Sequence, residues 1–356
     1  MEISAQGYSI YHGNAVFAQL QAFISNNYPT HNIVVLVDDN TFELCLPVLA
    51  GYSDAIANAE VIEIPSGEAN KTLANVAHIW DSLTGLGTDR NTLLINLGGG
   101  MVSDMGGFAA STFKRGIPYI NVPTSLLAMV DASVGGKTGF DFNSIKNQIG
   151  LFSNPKAVFI EPEFLKTLPE RELLSGYAEM LKHALIADAT LWEELKTAAP
   201  THINDIARFI PHSIAIKNSF VAKDPLDNAE RRALNYGHTF GHAIEGYFIG
   251  SANELLHGEA IAIGMVCEGF VAVEKGLISP TVLKEIEECI AVHFSFASLD
   301  QYDEEAILAL MEQDKKNSNG NINMVLLTGI GSCQIDVPVS DVEIKRALHY
   351  CKALSY

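Results

Sequence analysis

Two histidine motifs in the second half of the chain carry side chains that can bind a divalent metal. His238 and His242 lie four residues apart in Gly-His-Thr-Phe-Gly-His, so they share one face of a helix. His257 follows in His-Gly-Glu, at the start of another helical pattern. A metal site needs a third ligand, and histidines on an apolar helix also occur as hydrogen-bonded core residues. Thr239 stands where a His-Glu-x-x-His peptidase has its glutamate, so a peptidase is disfavoured.

A further candidate ligand, Glu179, lies in a mostly apolar helical stretch. A carboxylate in apolar surroundings needs a cationic partner or a metal. Lys182 is three residues further on and supplies the other interpretation, an ordinary ion pair along one helix. The residues alone leave both interpretations of Glu179 open.

Glycine-rich turns in the first half of the chain are typical of phosphate binding. The apolar segment 93–97 ends in Gly98-Gly99-Gly100, and Asp104 lies one turn into the helical pattern that follows. Such glycines let backbone amides approach a pyrophosphate at a helix N-terminus. Because Ser103 breaks the strict Gly-x-Gly-x-x-Gly spacing, a plain glycine turn is the alternative. A second glycine pair precedes Lys137, where a flexible loop with a solvated lysine is the alternative.

Two other segments have both a structural and a nucleotide-binding interpretation. Ser66-Gly-Glu-x-x-Lys71 follows a strand pattern, so it is either a capped helix start or a Glu and a Lys beside a nucleotide. Asp38 stands at the end of a strand pattern, where it can cap a helix or accept a hydrogen bond from a ribose hydroxyl.

The elements that must position these residues change type along the chain. Apolar β-branched runs at 33–37, 61–64, 92–97 and 119–122 alternate with helical patterns at 73–83 and 101–113, which predicts a parallel sheet covered by helices. Beyond residue 160 helical periods dominate, at 173–187, 191–199, 203–222, 237–248, 258–274, 280–292 and 303–314, and only 324–327 resembles a strand. We therefore predict an α/β domain over residues 1–158 and a mainly α-helical domain over 159–356.

Composition excludes several classes of protein. The chain has 356 residues, which at roughly 150 residues per domain predicts about two domains. Its 42 acidic against 23 basic residues give a net charge of −19, which disfavours nucleic acid and anionic membranes as partners. The start lacks a signal-peptide pattern, and the apolar run 260–267 is too short to span a bilayer. Five cysteines without Cys-x-x-Cys spacing predict reduced thiols and a cytoplasmic location.

Basic residues gather near the motifs in spite of the acidic composition. Nine of the 23 bases do so: Lys114, Arg115, Lys137, Lys146, Lys182, Lys217, Arg231, Lys315 and Lys316. This predicts a local site for an anion, with a solvated surface as the alternative for each residue taken singly.

In their number and order, the motifs resemble the 3-dehydroquinate synthase family from about Asp38 to Gly331. The matching motifs are Ser66-Gly-Glu-x-x-Lys71, Gly98-Gly-Gly-x-x-x-Asp104, Lys114-Arg-Gly-Ile117, Pro123-Thr-Ser-Leu-Leu127, Asp131-x-Ser-x-Gly-Gly-Lys-Thr138, Lys146-Asn147, Leu168-Pro-x-Arg-Glu172, Gly176-x-Ala-Glu-x-x-Lys182, Leu234-Asn-x-Gly-His-Thr-Phe-Gly-His242, His257-Gly-Glu259 and Asp314-Lys-Lys316. The chain departs from the family pattern at Ser103, usually Gly, at Ser125, usually Thr, and at Tyr177, usually Leu or Met. It also has Asp224-Pro-Leu-Asp227 where the family has an acidic Asp-Glu-x-Glu stretch. This last departure leaves the conformation of that loop open.

The resemblance implies a Rossmann-like N-terminal domain, a helical C-terminal domain and an active site in the cleft between them. It implies bound NAD and one divalent metal, zinc or cobalt, with Glu179, His238 and His257 as ligands. The implied NAD contacts are Asp38, Ser66, Gly67, Glu68, Lys71, Gly100, Met101, Val102, Ser103, Asp104, Thr124, Ser125, Lys137, Lys146, Phe164, Leu165, Lys166 and Thr167. The implied substrate contacts are Asp131, Lys137, Asn147, Lys182, Lys217, Arg231, Asn235, His242 and either Lys315 or Lys316. Arg115 corresponds to a residue that the family supplies across a homodimer interface.

The reaction that the resemblance implies belongs to the shikimate pathway of aromatic amino acid biosynthesis. A seven-carbon phosphorylated keto acid is transiently oxidised by NAD, loses phosphate, is reduced again and closes to a ring. Three alternatives stay open: a metal-dependent polyol dehydrogenase that releases NADH, a non-catalytic nucleotide-binding scaffold, and a sister cyclase whose sugar phosphate lacks the carboxylate. Lys217 and Arg231 favour a carboxylated substrate.

Overall fold

The computed structural model describes residues 2–13, 15–143, 145–294, 302–312 and 322–354. The chain forms two compact units. The first runs to Pro169 and adds Ala207–Asn218, and the second comprises Glu170–Ile206 and the chain from Ser219 onward. Residue 158, the expected end of the first domain, lies inside the strand Ala157–Ile160.

The first unit is built on a seven-stranded sheet and a separate two-stranded hairpin. The sheet strands are β1 (Glu2–Ser4), β2 (Ser9–His12), β3 (Asn32–Asp38), β4 (Glu60–Ile64), β5 (Thr92–Gly98), β6 (Tyr119–Pro123) and β9 (Ala157–Ile160), and the hairpin strands are β7 (Lys137–Phe142) and β8 (Ile145–Phe152). The sheet order is β1-β2-β9-β6-β5-β3-β4, with every neighbouring pair parallel except β1 and β2. The four predicted strands are β3 to β6, and the parallel pairing among them is confirmed.

Helices cover this sheet and supply its core. They are α1 (Val16–Asn27), α2 (Asp39–Leu44), α3 (Leu46–Ala50), α4 (Asp54–Ala57), α5 (Leu73–Gly85) and α6 (Gly100–Thr112). Buried side chains of α5 and α6, such as Val76 and Met105, pack with Leu36 and Leu94 of the central strands in one hydrophobic cluster. Helix α6 lies directly on β5, because a Cβ at Gly106 would stand 2.1 Å from Asn96 Oδ1. This close approach packs the middle of α6 directly against β5.

The strand order contains a topological switch point. From β3 the chain moves outward to β4 and then crosses back to β5 on the other side of β3. The carboxyl ends of β3 and β5, at Asp38 and Gly98, are therefore neighbours from which the connections leave in opposite directions. In open α/β sheets, ligands bind at this kind of position.

The second unit is mainly helical, as predicted. Its elements, with α9 and α10 shared between the units, are α7 (Glu170–Ala187), α8 (Ala189–Leu195), α9 (Ile203–Ala207), α10 (Ile210–Lys223), α11 (His238–Phe248), α12 (His257–Glu274), α13 (Pro280–Ala291), α14 (Glu304–Glu312), α15 (Asp341–Ala353), β10 (Ile322–Gly329) and β11 (Ser332–Val339). Helix α12 is buried over most of its length and packs against α7, α11, α13, α15 and β10. Among the helices that the structure describes, none is long and apolar enough to cross a bilayer.

Two details of the second unit differ from the sequence prediction. The single helix expected over 203–222 is two helices, because Pro211 fits the first turn of α10 but not a helix interior. The strand expected at 324–327 is β10, which pairs antiparallel with β11, a strand that was not predicted. Pro338 lies within β11 and makes its sequence a poor strand signal.

Candidate active site

One carboxylate oxygen of Glu179 is the point on which two imidazoles converge. Glu179 lies in α7 and is fully buried, in the apolar environment that its sequence context predicted. Its Oε1 is 3.6 Å from His238 Nε2 and 3.5 Å from His257 Nε2. These distances are too long for strong hydrogen bonds. They match the separation of about 3.4 Å expected between neighbouring ligand atoms in a tetrahedral zinc site with bonds of ~2.1 Å.

The other ring nitrogen of each histidine is held by an acceptor. His238 Nδ1 lies 3.1 Å from the carbonyl oxygen of Tyr236, and His257 Nδ1 lies 3.4 Å from Glu245 Oε2. In metal sites such acceptors fix the tautomer and leave Nε2 as the ligand atom. Burial lowers the pKa of the His257 imidazole, but Glu245 and Glu179 outweigh burial and raise that pKa to about 9. The surroundings of Glu179 thus favour positive charge.

His242 makes a second candidate metal set possible. It lies one turn along α11, and its ring centroid is 5.0 Å from that of His238 and 5.7 Å from that of His257. The three imidazoles each offer a nitrogen within 4.8 Å of the others. Both sets share His238 and His257, so the open question is whether Glu179 or His242 is the third ligand.

An ion pair fixes the point at which α12 begins. Arg171 Nη2 is 2.6 Å from Glu259 Oε2, and Arg171 Nε is 2.7 Å from the other oxygen of that carboxylate. The same Glu259 accepts a hydrogen bond of 2.7 Å from the backbone N–H of Leu256, the N-cap residue. Arg171 of α7 therefore holds the start of α12 in place, and His257 is the first residue of that helix.

Two predicted substrate-binding cations are buried in the second unit. Lys182 forms an ion pair with Glu179, and both residues are almost fully buried. Arg231 is 3% exposed, and its Nη1 donates to the Pro225 carbonyl oxygen at 2.9 Å. Asn235 ends the short 3-10 helix Glu230–Asn235 and is half-buried. Neither Lys182 nor Arg231 is therefore a solvated surface residue.

Asp224 organises the loop whose conformation the sequence left open. Its carboxylate accepts backbone N–H groups of Asn228 at 3.0 Å, Ala229 at 2.6 Å and Arg231 at 3.2 Å. Burial raises the pKa of the Asp224 carboxyl, but these three donors outweigh burial and hold that pKa below 3.8. The departure from the family's acidic stretch thus leaves a closed loop that leads directly into Arg231.

In the first unit, the predicted cofactor residues gather around Lys71. Its Nζ lies 2.7 Å from Asp104, 2.8 Å from Asn147 Oδ1 and 3.4 Å from Glu68. Lys146 lies further away, 3.9 Å from the same Glu68 carboxylate. Burial lowers the pKa of the Lys71 ammonium, but Asp104 and Glu68 outweigh burial and hold that pKa above its usual range. Residues distant in sequence thus form one charged cluster, which includes the predicted substrate contact Asn147.

The glycine turn at the end of β5 is closely packed on the side facing β6. Gly99, which has no side chain, is the N-cap of α6. A Cβ at Gly99 would lie 3.4 Å from Ser125 Oγ, and one at Gly100 would lie 3.2 Å from Ala132 Cβ. The backbone N–H of Thr124 donates to Gly98 O at 3.0 Å. The helix start and the residues Thr124 and Ser125 therefore form one turn at the switch point.

Other predicted cofactor residues have identifiable structural partners. Asp38 forms a capping box with Thr41, so its helix-cap interpretation is present in the structure. The backbone N–H of Ser66 donates to Asp39 Oδ1 at 3.1 Å, and Gly67 has a φ of 94°. In the 3-10 helix Pro162–Thr167, the side chains of Phe164 and Leu165 are buried in the core, while Lys166 pairs with Glu163 at 2.6 Å. A nucleotide contact from Phe164 or Leu165 would use their backbone. Of the α6 residues, Met101, Val102 and Ser103 are buried.

Asp131 and Lys217, both predicted substrate contacts, are paired within the first unit. Lys217 is 5% exposed, and its Nζ lies 2.6 Å from both Asp131 Oδ1 and the Asp131 carbonyl oxygen. Asp131 belongs to a short π-helix, Ala128–Ala132, an irregularity often found at functional sites. Lys137 is the first residue of β7 and is exposed. Lys315 and Lys316 lie outside the described residues.

Arg115 stands in an unusual backbone conformation after α6. Lys114 and Arg115 have φ values of 49° and 68°, which side-chain-bearing residues rarely adopt. The following Gly116 has a φ of 108°, and Arg115 is exposed. Strain of this kind is concentrated at functional sites, and it directs Arg115 away from the helical path.

Sequence reasoning missed the acidic residues that support the histidines. Glu245 is one turn beyond His242 on α11, and Glu268 is a fully buried residue of α12. Each is a charged residue inside an otherwise apolar helical pattern, the signal that singled out Glu179. Applied throughout the chain, that signal would have identified both.

Known proteins resemble this chain in sequence and in fold. Family models described as 3-dehydroquinate synthase N-terminal and C-terminal match residues 61–175 and 176–317. A 3-dehydroquinate synthase from Parabacteroides distasonis is 38% identical over 338 residues, 94% of each chain. One from Prochlorococcus marinus is 42% identical over 302 residues, 82% of each chain. A solved 2-epi-5-epi-valiolone synthase from Streptomyces hygroscopicus, with NAD+ and Zn2+ bound, is 25% identical with a TM-score of 0.82, covering 99% of this chain and 98% of that one.

Proposed function

Because the chain belongs to the 3-dehydroquinate synthase family, we propose that it converts 3-deoxy-D-arabino-heptulosonate 7-phosphate to 3-dehydroquinate and phosphate. The observation that carries this proposal is the placement of His238 Nε2 and His257 Nε2 at 3.6 and 3.5 Å from one oxygen of the buried Glu179 carboxylate. Two imidazoles that converge on one buried carboxylate oxygen form a donor set for a divalent metal, which a non-catalytic scaffold would not need.

The donor set of the second unit fits one divalent metal of the zinc or cobalt type. Two imidazoles, each giving up any proton on Nε2 when the metal binds, and one carboxylate would leave a fourth position for a substrate oxygen, as in catalytic zinc sites. We assign Glu179 as the third ligand because it is fully buried and both Nε2 atoms face its Oε1. His242 then faces the substrate.

The switch point of the first unit fits NAD. The start of α6 at Gly99-Gly100 presents backbone N–H groups to a pyrophosphate, and Asp38 stands at the neighbouring strand end for a ribose hydroxyl. The Lys71 cluster with Glu68 and Asp104 supplies further polar contacts. The solved valiolone synthase, similar in fold over nearly the whole chain, has NAD+ and Zn2+ bound, which supports both assignments.

When bound, NAD supplies a hydride acceptor that is restored within one turnover, and the metal supplies polarisation of the substrate alcohol. The protein's own residues then orient and neutralise a substrate that carries a carboxylate and a phosphate. Lys182 and Arg231 are buried cations suited to this work, and the pairing of Lys217 with Asp131 holds that ammonium in place. Cations fixed before reaction stabilise a departing phosphate without reorganisation. Lys137, Asn147 and Asn235 belong to the same proposed set, as does either Lys315 or Lys316.

We further propose a homodimer in which Arg115 contacts the site of the other copy. Arg115 is exposed and its strained backbone points it off the helix. The β7–β8 hairpin exposes the large apolar side chains Phe142, Ile149, Leu151 and Phe152, a surface that a second copy would cover. A cytoplasmic location stays a prediction from the cysteine pattern.

The test is to incubate the purified protein with the keto acid phosphate and a catalytic amount of NAD, and to follow phosphate and NADH together. The proposal expects phosphate release over many turnovers with no net NADH. Stoichiometric NADH from a simple polyol would instead identify a dehydrogenase. Absence of both products would favour the non-catalytic scaffold.

A further inference from the structure

Glu268 is a fully buried carboxylate with no role in the reaction described above. It lies in α12, three turns beyond His257. Its Oε2 accepts a hydrogen bond of 2.7 Å from the backbone N–H of Gly237, and its Oε1 accepts one of 3.1 Å from the backbone N–H of Thr239. These two amides flank His238, the proposed ligand at the first position of α11.

Glu268 caps the N-terminus of α11, where the local sequence has no side chain that could do so. The N-cap residue of α11 is Gly237, with a φ of 79° and no side chain that could accept from the first turn. Helix starts normally obtain such an acceptor from a Ser, Thr, Asp or Asn at this position. Glu268 provides it from another helix, with a negative charge that also suits the N-terminal end of the helix dipole.

The two helices have little freedom to adjust around this contact. A Cβ at Gly264 would stand 1.9 Å from Gly237 O, and a Cβ at Gly237 would stand 2.9 Å from Ile261 O. Tyr236, whose carbonyl oxygen faces His238 Nδ1, donates its own hydroxyl to Met265 O at 2.8 Å. The backbone on both sides of His238 is thus tied to α12.

We propose that Glu268 is a positioning residue of the metal centre, which holds His238 in register with His257. The inference rests on the proposed metal ligands, since it assigns Glu268 the task of aligning two of them. Because α12 begins at His257 and carries Glu268, one rigid helix connects the second imidazole to the amides on both sides of the first. Loss of the carboxylate would release the start of α11 and weaken metal binding without removing any ligand.

The test measures the dissociation constants of Co2+ and Zn2+ by competition with a chromophoric chelator, together with the visible spectrum of the Co2+ form. We expect Glu268→Gln, which has similar volume but only one acceptor oxygen, to bind metal about 10- to 100-fold more weakly and to alter the Co2+ spectrum. The matched control is Glu287→Gln, in which a buried carboxylate of α13 that accepts from Tyr350 at 2.5 Å is neutralised. It should lower thermal stability and leave metal affinity unchanged.

Wild-type metal affinity and spectrum in folded Glu268→Gln would overturn the proposal, as would equal weakening in Glu287→Gln. If Glu268→Gln does not fold, Glu268→Asp takes its place, because the shorter side chain cannot reach both amides. Hydrogen exchange of the wild-type protein gives a readout that needs no variant: added Co2+ should slow exchange over residues 237–239, and an unchanged rate overturns the inference. A wild-type chain that binds no metal, or a His238→Ala variant that binds normally, would overturn the ligand assignment itself.

Discussion

The backbone N–H of Gly258 donates a 2.9 Å hydrogen bond to Ser175 Oγ, and a Cβ at Gly258 would stand only 2.0 Å from the Ser175 carbonyl oxygen. Helix α12 therefore meets α7 with its backbone, at the residue next to His257. Ser175 lies one turn before Glu179 on α7. The close approach of these two residues places a carboxylate and an imidazole opposite each other, and only glycine fits at position 258.

Gly258→Ala should therefore separate His257 from Glu179. We expect a loss of about 1–3 kcal/mol or more in the free energy of unfolding, typical of overpacking, and a marked loss of metal affinity. Denaturant unfolding and metal titration measure the two effects. The control is Gly246→Ala on α11, where the nearest atom that an added Cβ meets among the described residues is Leu310 Cδ1, at 4.0 Å. That variant should gain up to about 1 kcal/mol of stability, as a glycine replaced in a helix does. Normal metal affinity in Gly258→Ala would contradict the role given to this contact.

Replacing the histidines one at a time distinguishes the two candidate metal sets. His238→Ala and His257→Ala should arrive without metal and without activity, since each removes a ligand common to both sets. His242→Ala should retain its metal while activity falls, and Glu179→Gln should lose it. Elemental analysis of the purified variants decides between them. Metal-free His242→Ala together with metal-loaded Glu179→Gln would make His242 the third ligand.

We expect Lys217 and Arg231 to bind the carboxylate of the substrate. Neutralising either cation should raise KM for the carboxylated substrate about 10- to 100-fold, the range for a lost charged hydrogen bond. A fall in kcat as well would show that the contact tightens in the transition state. The same variants assayed with an analogue that lacks the carboxylate should show a much smaller change. Equal losses with both substrates would contradict the assignment and favour a sister cyclase.

Asp224 should affect substrate binding through the loop that leads into Arg231. Asp224→Asn weakens three hydrogen bonds to the backbone of the loop that positions Arg231. KM for the substrate should therefore rise, as it should in an Arg231 variant. Because the pKa of Asp224 is lower folded than its unfolded value of 3.8, its contribution to stability is complete above that pH and is lost as the pH falls through the lowered value. The stability difference between wild type and variant should therefore shrink in acid. Asp188→Asn, which weakens a cap of two amides on α8, is the control and should leave KM unchanged.

Short-range patterns predicted most elements of this fold, because buried parallel strands and amphipathic helices leave continuous signals. The central strands β3 to β6 and the helices α11 and α12 lie within one or two residues of their predicted bounds. The β7–β8 hairpin had no comparable sequence signal. Gly139 and Gly150 face each other across its two strands, and glycine is a residue that strand patterns rarely contain. Strand β11 contains Pro338, and its register with β10 shifts twice.

The candidate site was only partly accessible to sequence reasoning. The spacing of His238 and His242 and the glycine turn follow from local geometry. The contact of Lys71 with Asn147 joins residues 76 positions apart, and the support of His238 by Glu268 depends on the packing of two helices. Such relationships arise from tertiary structure, so no local pattern could have predicted them.

Arg115 tests whether a second copy of the chain completes the site. Arg115 and the preceding Lys114 keep a left-handed backbone that costs free energy, on the order of 1–3 kcal/mol for each residue. Its planar guanidinium is suited to a phosphate or carboxylate. In a symmetric dimer each site would then contain residues from both copies. We expect Arg115→Ala and Glu179→Ala each to be inactive alone. When the two variants exchange subunits, activity should return. In the mixed dimer one site contains both substitutions, and the other site is intact. Mixed dimers shown to form by mass spectrometry that remain inactive would place the action of Arg115 in its own subunit or remove it from the reaction.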